Sequence, residues 1–79
     1  MPTAYFLINV AINHETEVTE KIKNILGKNS IKFEVQEVYG IYDIVVKIIA
    51  ESDDHLRQII LEKLRPIDKI QSAITMMVV

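Results

Sequence analysis

Three segments of this chain carry apolar residues on both of their alternating faces: AYFLINVAI (4–12), YDIVVKIIA (42–50) and SAITMMVV (72–79). Successive side chains of a strand point to opposite faces, so a sheet with one face in water reads polar at every second position. Here Phe6, Ile8 and Val10 oppose Tyr5, Leu7 and Ala11, while Ile44, Val46 and Ile48 oppose Val45, Lys47 and Ile49. In the last segment Met76 and Val78 oppose Met77 and Val79. A sheet built from such strands needs a cover on each side.

The chain itself is short of material for two covers. It has 79 residues and no cysteine, and a domain of this size buries only roughly 60% of the surface its unfolded chain exposes. Disulfides and thiolate metal sites are excluded, which leaves oligomerisation as the supplement. The simplest cover for the second face is another copy related by a two-fold axis, giving a two-sheet or barrel-like homodimer.

Between the strands lie two amphipathic helices. The stretch HETEVTEKIKNIL puts Val18, Ile22, Ile25 and Leu26 on one face, which predicts a helix over about 14–26, with Asn13 as N-cap and Gly27 as the stop. In DDHLRQIILEKLR, Leu56, Ile59, Ile60 and Leu64 form a second stripe, with Ser52 as the cap and Pro66 as the terminator. After a turn at Gly27, Lys28, Asn29 and Ser30, the segment IKFEVQEVY alternates Ile31, Phe33 and Val35 with Lys32, Glu34 and Gln36, so this second strand has one wetter face. A hairpin turn over residues 38–43 joins it to the third strand. The order strand, helix, strand, strand, helix, strand predicts a single α+β domain over 1–79: a ferredoxin-like βαββαβ fold, with four antiparallel strands and both helices on one face.

Nine basic against eleven acidic residues, interspersed, give a formal charge of −2 with no basic block, which argues against direct nucleic-acid binding. The N-terminal MPTAYFLINVAIN lacks a basic start and a cleavage motif, and Asn9 and Asn13 interrupt its apolar run. It reads as neither signal peptide nor membrane span, which places the protein in the cytoplasm. His14 and His55 lie far apart with no acid at ligand spacing, so no metal site is expected. No nucleophile and base pair or Gly-rich phosphate loop is present, so neither catalysis nor a cofactor is expected.

The segments AYFLINV, VYGIYDIVVK, HLRQIILEKLRPID and SAITMMVV together resemble, in order, the effector-binding domain of Lrp/AsnC regulators, over residues 3 to 79. The most specific match is Gly-x-Tyr-Asp at Gly40, Ile41, Tyr42 and Asp43. Members usually carry a DNA-binding helix-turn-helix before this domain, and with nothing ahead of Met1 the expectation is a stand-alone form. The resemblance implies dimers through the sheets, rings such as octamers, amino-acid effectors held where dimers meet, and association with a full-length regulator. Two departures stand out. The closing Thr-x-Thr is here Ala73-Ile74-Thr75, with Ser72 next door, and the turn at 27–30 lacks the usual Pro-Gly.

An amino acid presents an ammonium and a carboxylate, so a selective pocket needs a charged acceptor and a group of donors. Asp43 suits the ammonium. Backbone N–H groups at Gly40, Ile41 and Tyr42 suit the carboxylate, with Gly40 free to take a positive φ, and the region of Ser72, Ala73 and Thr75 is expected to complete the site. An ordinary turn accounts for the same pattern, with Gly40 as its pivot, Asp43 as its cap and Tyr42 as strand packing; the resemblance is what favours the ligand. Two other functions fit the fold class. A small dimeric monooxygenase would need polar groups pointing from strands into the cleft between helices and sheet, for which Asn9 is the candidate, and a purely structural assembly module would need no ligand at all.

Overall fold

The computed structural model of the chain describes residues 1–29 and 31–79. Ser30, the end of the expected first interstrand turn, lies outside the described residues. The elements are β1 (Thr3–Val10), α1 (Glu15–Lys28), β2 (Lys32–Glu37), β3 (Ile44–Ile49), α2 (Asp53–Gln58) and β4 (Ile70–Met77). A π-helical stretch, Ile59–Leu64, runs on directly from α2. The strands form one antiparallel sheet in the order β2-β3-β1-β4, the expected βαββαβ arrangement.

One face of the sheet is dry. Ala4, Phe6, Ile8, Val10, Ile44, Val46 and Ile48 are buried there against Val18, Ile22 and Leu26 of α1 and Leu56, Ile59, Ile60 and Leu64 of the second helical segment. Both predicted helical stripes thus turn inward, apart from Ile25, which is partly buried at the margin. The total surface of 5075 Å² compares with about 13,000 Å² for an unfolded chain of this mass, so folding hides roughly 60%.

Helix ends correct the sequence reading in two places. Asn13 does not cap α1: it has φ 72, and the cap position falls on His14, whose side chain makes no capping hydrogen bond. The His14 N–H donates to the Ala11 carbonyl at 3.0 Å, closing a tight turn in which Asn13 takes the left-handed position that asparagine tolerates. Nor does Gly27 stop the helix, which runs through it to Lys28. Asn29 ends it instead, with its Nδ2 donating to the Ile25 carbonyl at 2.7 Å. Ser52 caps α2 as expected, its Oγ accepting from the His55 N–H at 3.1 Å.

The second face of the sheet is uncovered in the single chain. Lys32, Glu34 and Gln36 on β2 give it a polar margin, and Lys47 Nζ lies 3.9 Å from Glu34 Oε2. Across the other three strands it is mostly apolar, with Lys47 beside the β2 margin and Asn9 and Ser72 at one end. Val45, Leu7 and Ile74 are register partners in one row, and Lys47, Tyr5 and Met76 form the next.

Candidate functional site

The ends of β1, β2 and β3 and the start of α1 meet at one end of the sheet. Glu15 is the first residue of α1, Glu37 the last of β2, and Asp43 immediately precedes β3. With Val38 and Tyr39 they line a cleft of about 480 Å³. Three carboxylates around one cleft with no cation in its wall favour a positively charged guest.

Asp43 holds its place through three backbone-linked contacts. Its N–H donates to the Ile8 carbonyl at 3.0 Å, its carbonyl accepts from Val38 N–H at 2.9 Å, and its Oδ2 accepts from Val10 N–H at 2.9 Å. The last follows from strand geometry. Backbone groups of alternate residues point the same way, so Val10, like Ile8, presents its N–H toward β3. The β3 ladder ends at Ile44, so the Asp43 carboxylate supplies the acceptor that a further strand residue would have given. Asp43 is thus a cap for the sheet, as the ordinary-turn reading holds, and a wall of the cleft as well.

The loop before it is open to solvent. Gly40 has φ 145, and a Cβ built there would meet nothing within 4 Å; the glycine serves the backbone conformation rather than close packing. The N–H groups of Val38 and Asp43 are used within the fold, whereas those of Gly40, Ile41 and Tyr42 donate to no backbone carbonyl among the described residues. Tyr39 at 107%, Ile41 at 83% and Ile12 at 82% relative exposure make this end of the molecule apolar at its tips.

The β4 residues divide. Ser72 pairs with Asn9, whose Nδ2 donates to Ser72 Oγ at 3.1 Å, and one step beyond the β1–β3 register Asn9 lies opposite Asp43. Ser72 therefore shares the loop end of the sheet. Ala73 packs against the core. Thr75 pairs with Phe6, two residues from Ala73 on the helix side, and its Oγ1 accepts from Arg65 at 3.5 Å. Within one chain Ala73 and Thr75 face away from Ser72 and do not join the hairpin loop. Asn9 sits on the uncovered face, not between helices and sheet where the monooxygenase alternative required it. Glu15, Glu37 and Tyr39 are the wall residues that pattern reading missed; the βαββαβ order already puts the β1–α1 and β2–β3 connections at one end.

A family model, the Lrp/AsnC ligand binding domain, matches residues 3–79. The chain belongs to this family. Among solved structures, this Lrp/AsnC domain is similar to the hypothetical protein PHS023 from Pyrococcus horikoshii at 37% identity, with a TM-score of 0.83 over 100% of this chain and 90% of that one. It shares its fold with E. coli AsnC at 23% identity and a TM-score of 0.82, over 99% of this chain and 50% of that chain. The fold also matches the transcriptional regulator NMB0573 from Neisseria meningitidis, solved as an L-Met complex, at 13% identity and a TM-score of 0.72, over 99% of this chain and 49% of that one. No curated protein sequence matches the Lrp/AsnC domain described here.

Proposed function

We propose that this Lrp/AsnC ligand-binding domain is a non-enzymatic, cytoplasmic amino-acid sensor that dimerises through the uncovered face of its sheet and reads its effector at the loop end. The observation that carries the proposal is the pairing of an apolar row, Val45–Leu7–Ile74, with an acid-lined cleft at the adjoining end of the same sheet. An effector ammonium would rest among Glu15, Glu37 and Asp43. Its carboxylate would take the free N–H groups of Gly40, Ile41 and Tyr42, away from the acids. The L-Met bound to NMB0573 lends support to a ligand of this class. Ser72 stands at the same end of the sheet but across β1 from Asp43; Ala73 and Thr75 would contribute only from another copy.

The exposed Ile12, Tyr39 and Ile41 suit a second contact, between dimers, and so the assembly of dimers into a ring such as an octamer or onto a full-length regulator that carries a DNA-binding domain. Regulation would then follow from ligand-dependent assembly. The test is native mass with and without a mixture of amino acids, beside a thermal-shift panel. The protomer mass is 9.1 kDa; the expected species is a dimer or a multiple of it, and Leu7→Glu should return it to a protomer by charging the centre of the apolar row. An effector at 100 times its dissociation constant adds about 2.7 kcal/mol of stability. A monomeric native protein would defeat the dimer, and the absence of any shift with all twenty amino acids would defeat the sensor.

A further inference from the structure

On the far side of β4, a second cleft of about 220 Å³ is lined by Arg57, Ile60, Leu61, Arg65, Thr75 and Met77. The chain has only two arginines, and both stand in this wall. Neither forms an ion pair among the described residues. The nearby helical carboxylate, Glu62, accepts instead from Gln58 Nε2 at 3.3 Å. Among the described residues Arg65 reaches only the Thr75 hydroxyl, at a long 3.5 Å.

The π-helical stretch explains how the two arginines share one cleft. In an α-helix, eight residues of about 100° each would leave positions 57 and 65 roughly 80° apart around the axis. A π turn takes up about one extra residue, which leaves seven α-like steps and brings the two within roughly 20°. The Arg65 N–H accordingly donates to the Ile60 carbonyl, five residues back, at 2.9 Å. Arg57, Leu61 and Arg65 therefore form one stripe, a guanidinium at each end and an exposed leucine between. Single π turns recur at functional sites.

We infer that this cleft binds a short aliphatic dicarboxylate. Two unpaired guanidiniums, each able to grip a carboxylate through two N–H donors, call for two negative charges. Leu61, Ile60 and Met77 call for methylene groups between them, and the Thr75 hydroxyl can donate to the end nearer Arg65. At about 30 Å³ for each water-sized group the cavity holds roughly seven, close to the eight or nine non-hydrogen atoms of a four- or five-carbon diacid. The site lies on the helix side of β4, remote from the uncovered face and from the acid-lined cleft, so it stands whether or not the sensor reading does.

The experiment is an amide-resolved NMR titration of the full chain with glutarate and succinate, with butyrate and inorganic sulfate as comparisons. Saturable shifts at Leu61, Arg65, Thr75 and Met77 are expected, weaker at high salt. Arg57→Gln and Arg65→Gln should each weaken binding about tenfold or more, and since both side chains are exposed, each variant should keep the wild-type spectrum elsewhere. Asp43→Asn should leave this binding unchanged. No saturable shift at about 10 mM diacid, above the millimolar affinity a ligand this small should reach, overturns the proposal. So does glutarate binding no tighter than butyrate or sulfate, or binding that survives both arginine variants.

Discussion

Replacing Asp43 tests the fold and the site at once, and the choice of replacement decides what is learned. In Asp43→Ala the Val10 N–H, on a residue only 4% exposed, loses the carboxylate that accepts from it at 2.9 Å. A hydrogen bond to a charged group contributes about 1.5–3 kcal/mol, and an orphaned buried donor costs a similar amount. Asp43 is itself only half buried, so water can take back part of that. About 2 kcal/mol of destabilisation is the resulting expectation. For a domain of this length each kcal/mol lowers Tm by about 4–8 °C, so the loss is about 8–16 °C. Asp43→Asn keeps an oxygen facing Val10 and loses only the charge, for which about 1 kcal/mol and 4–8 °C are expected.

The assay is calorimetric or CD melting at one fixed protomer concentration, because association shifts Tm by mass action. An alanine variant within about 1 °C of wild type would refute the cap, since it would mean the Val10 N–H needs no partner. An asparagine variant as damaged as alanine would refute the division between hydrogen bond and charge. Only the asparagine variant then speaks to function: if the carboxylate holds an ammonium, the ligand-induced stabilisation should vanish there while the fold persists. Loss of binding in the alanine variant alone would be ambiguous, because it also frees the end of the sheet.

Three smaller effects follow from local geometry. Gly40→Ala has open space around its new Cβ yet forces φ 145 on an alanine, so about 1–3 kcal/mol of destabilisation is expected from the backbone alone; an unchanged melting curve would contradict it. Ser52→Ala removes the acceptor of the His55 N–H and should cost about 1 kcal/mol, read by urea unfolding as a lower midpoint with an unchanged slope. Glu17 is held below its ordinary value of 4.5, first by the hydrogen bond with His14; desolvation opposes this, and the charges of Lys21 and His14 with a hydrogen bond from Lys21 add to the lowering. A carboxyl lowered on folding stabilises above its unfolded value and loses that contribution as pH falls through the folded one. The NMR midpoint of Glu17 should therefore lie below 4.5 and move back toward it in His14→Ala.

Where the sequence was legible, side-chain period and strand parity carried the information. Both helical stripes and the two-faced strands follow from spacing alone, and the Ser52 cap is a purely local hydrogen bond. Asn13 was misread because asparagine suits both an N-cap and a left-handed turn position, and the Ala11–His14 turn that selects between them depends on where β1 stops. Gly27 failed as a stop because an exposed glycine can be carried within a helix when Asn29 supplies the capping contact. The π stretch left no trace in the apolar pattern, since Ile60 and Leu64 are both buried; it shows in where Arg65 falls around the axis. At the site, parity held more than was taken from it. With Met76 and Met77 on opposite faces, Thr75 must go with Met77 and Ser72 with Met76, so the two hydroxyls could not serve one pocket from one chain.

That separation bears on how such a domain could sense anything. In the proposed reading the apolar row of the sheet closes the dimer, while the effector cleft sits beside loop tips whose Ile12, Tyr39 and Ile41 still face water. A ligand gripped by the acids and the Gly40–Tyr42 amides lies where a neighbouring dimer would cover those tips, and residues from that neighbour would bury it further. Ligand and neighbour then stabilise one another, and the coupling is reciprocal: an effector that tightens association tenfold is itself bound tenfold more tightly by the assembled form, about 1.4 kcal/mol in each direction. Effector affinity should consequently rise with protein concentration across the range in which dimers associate. An affinity independent of concentration, measured while the mass changes, would mean that cleft and assembly do not communicate.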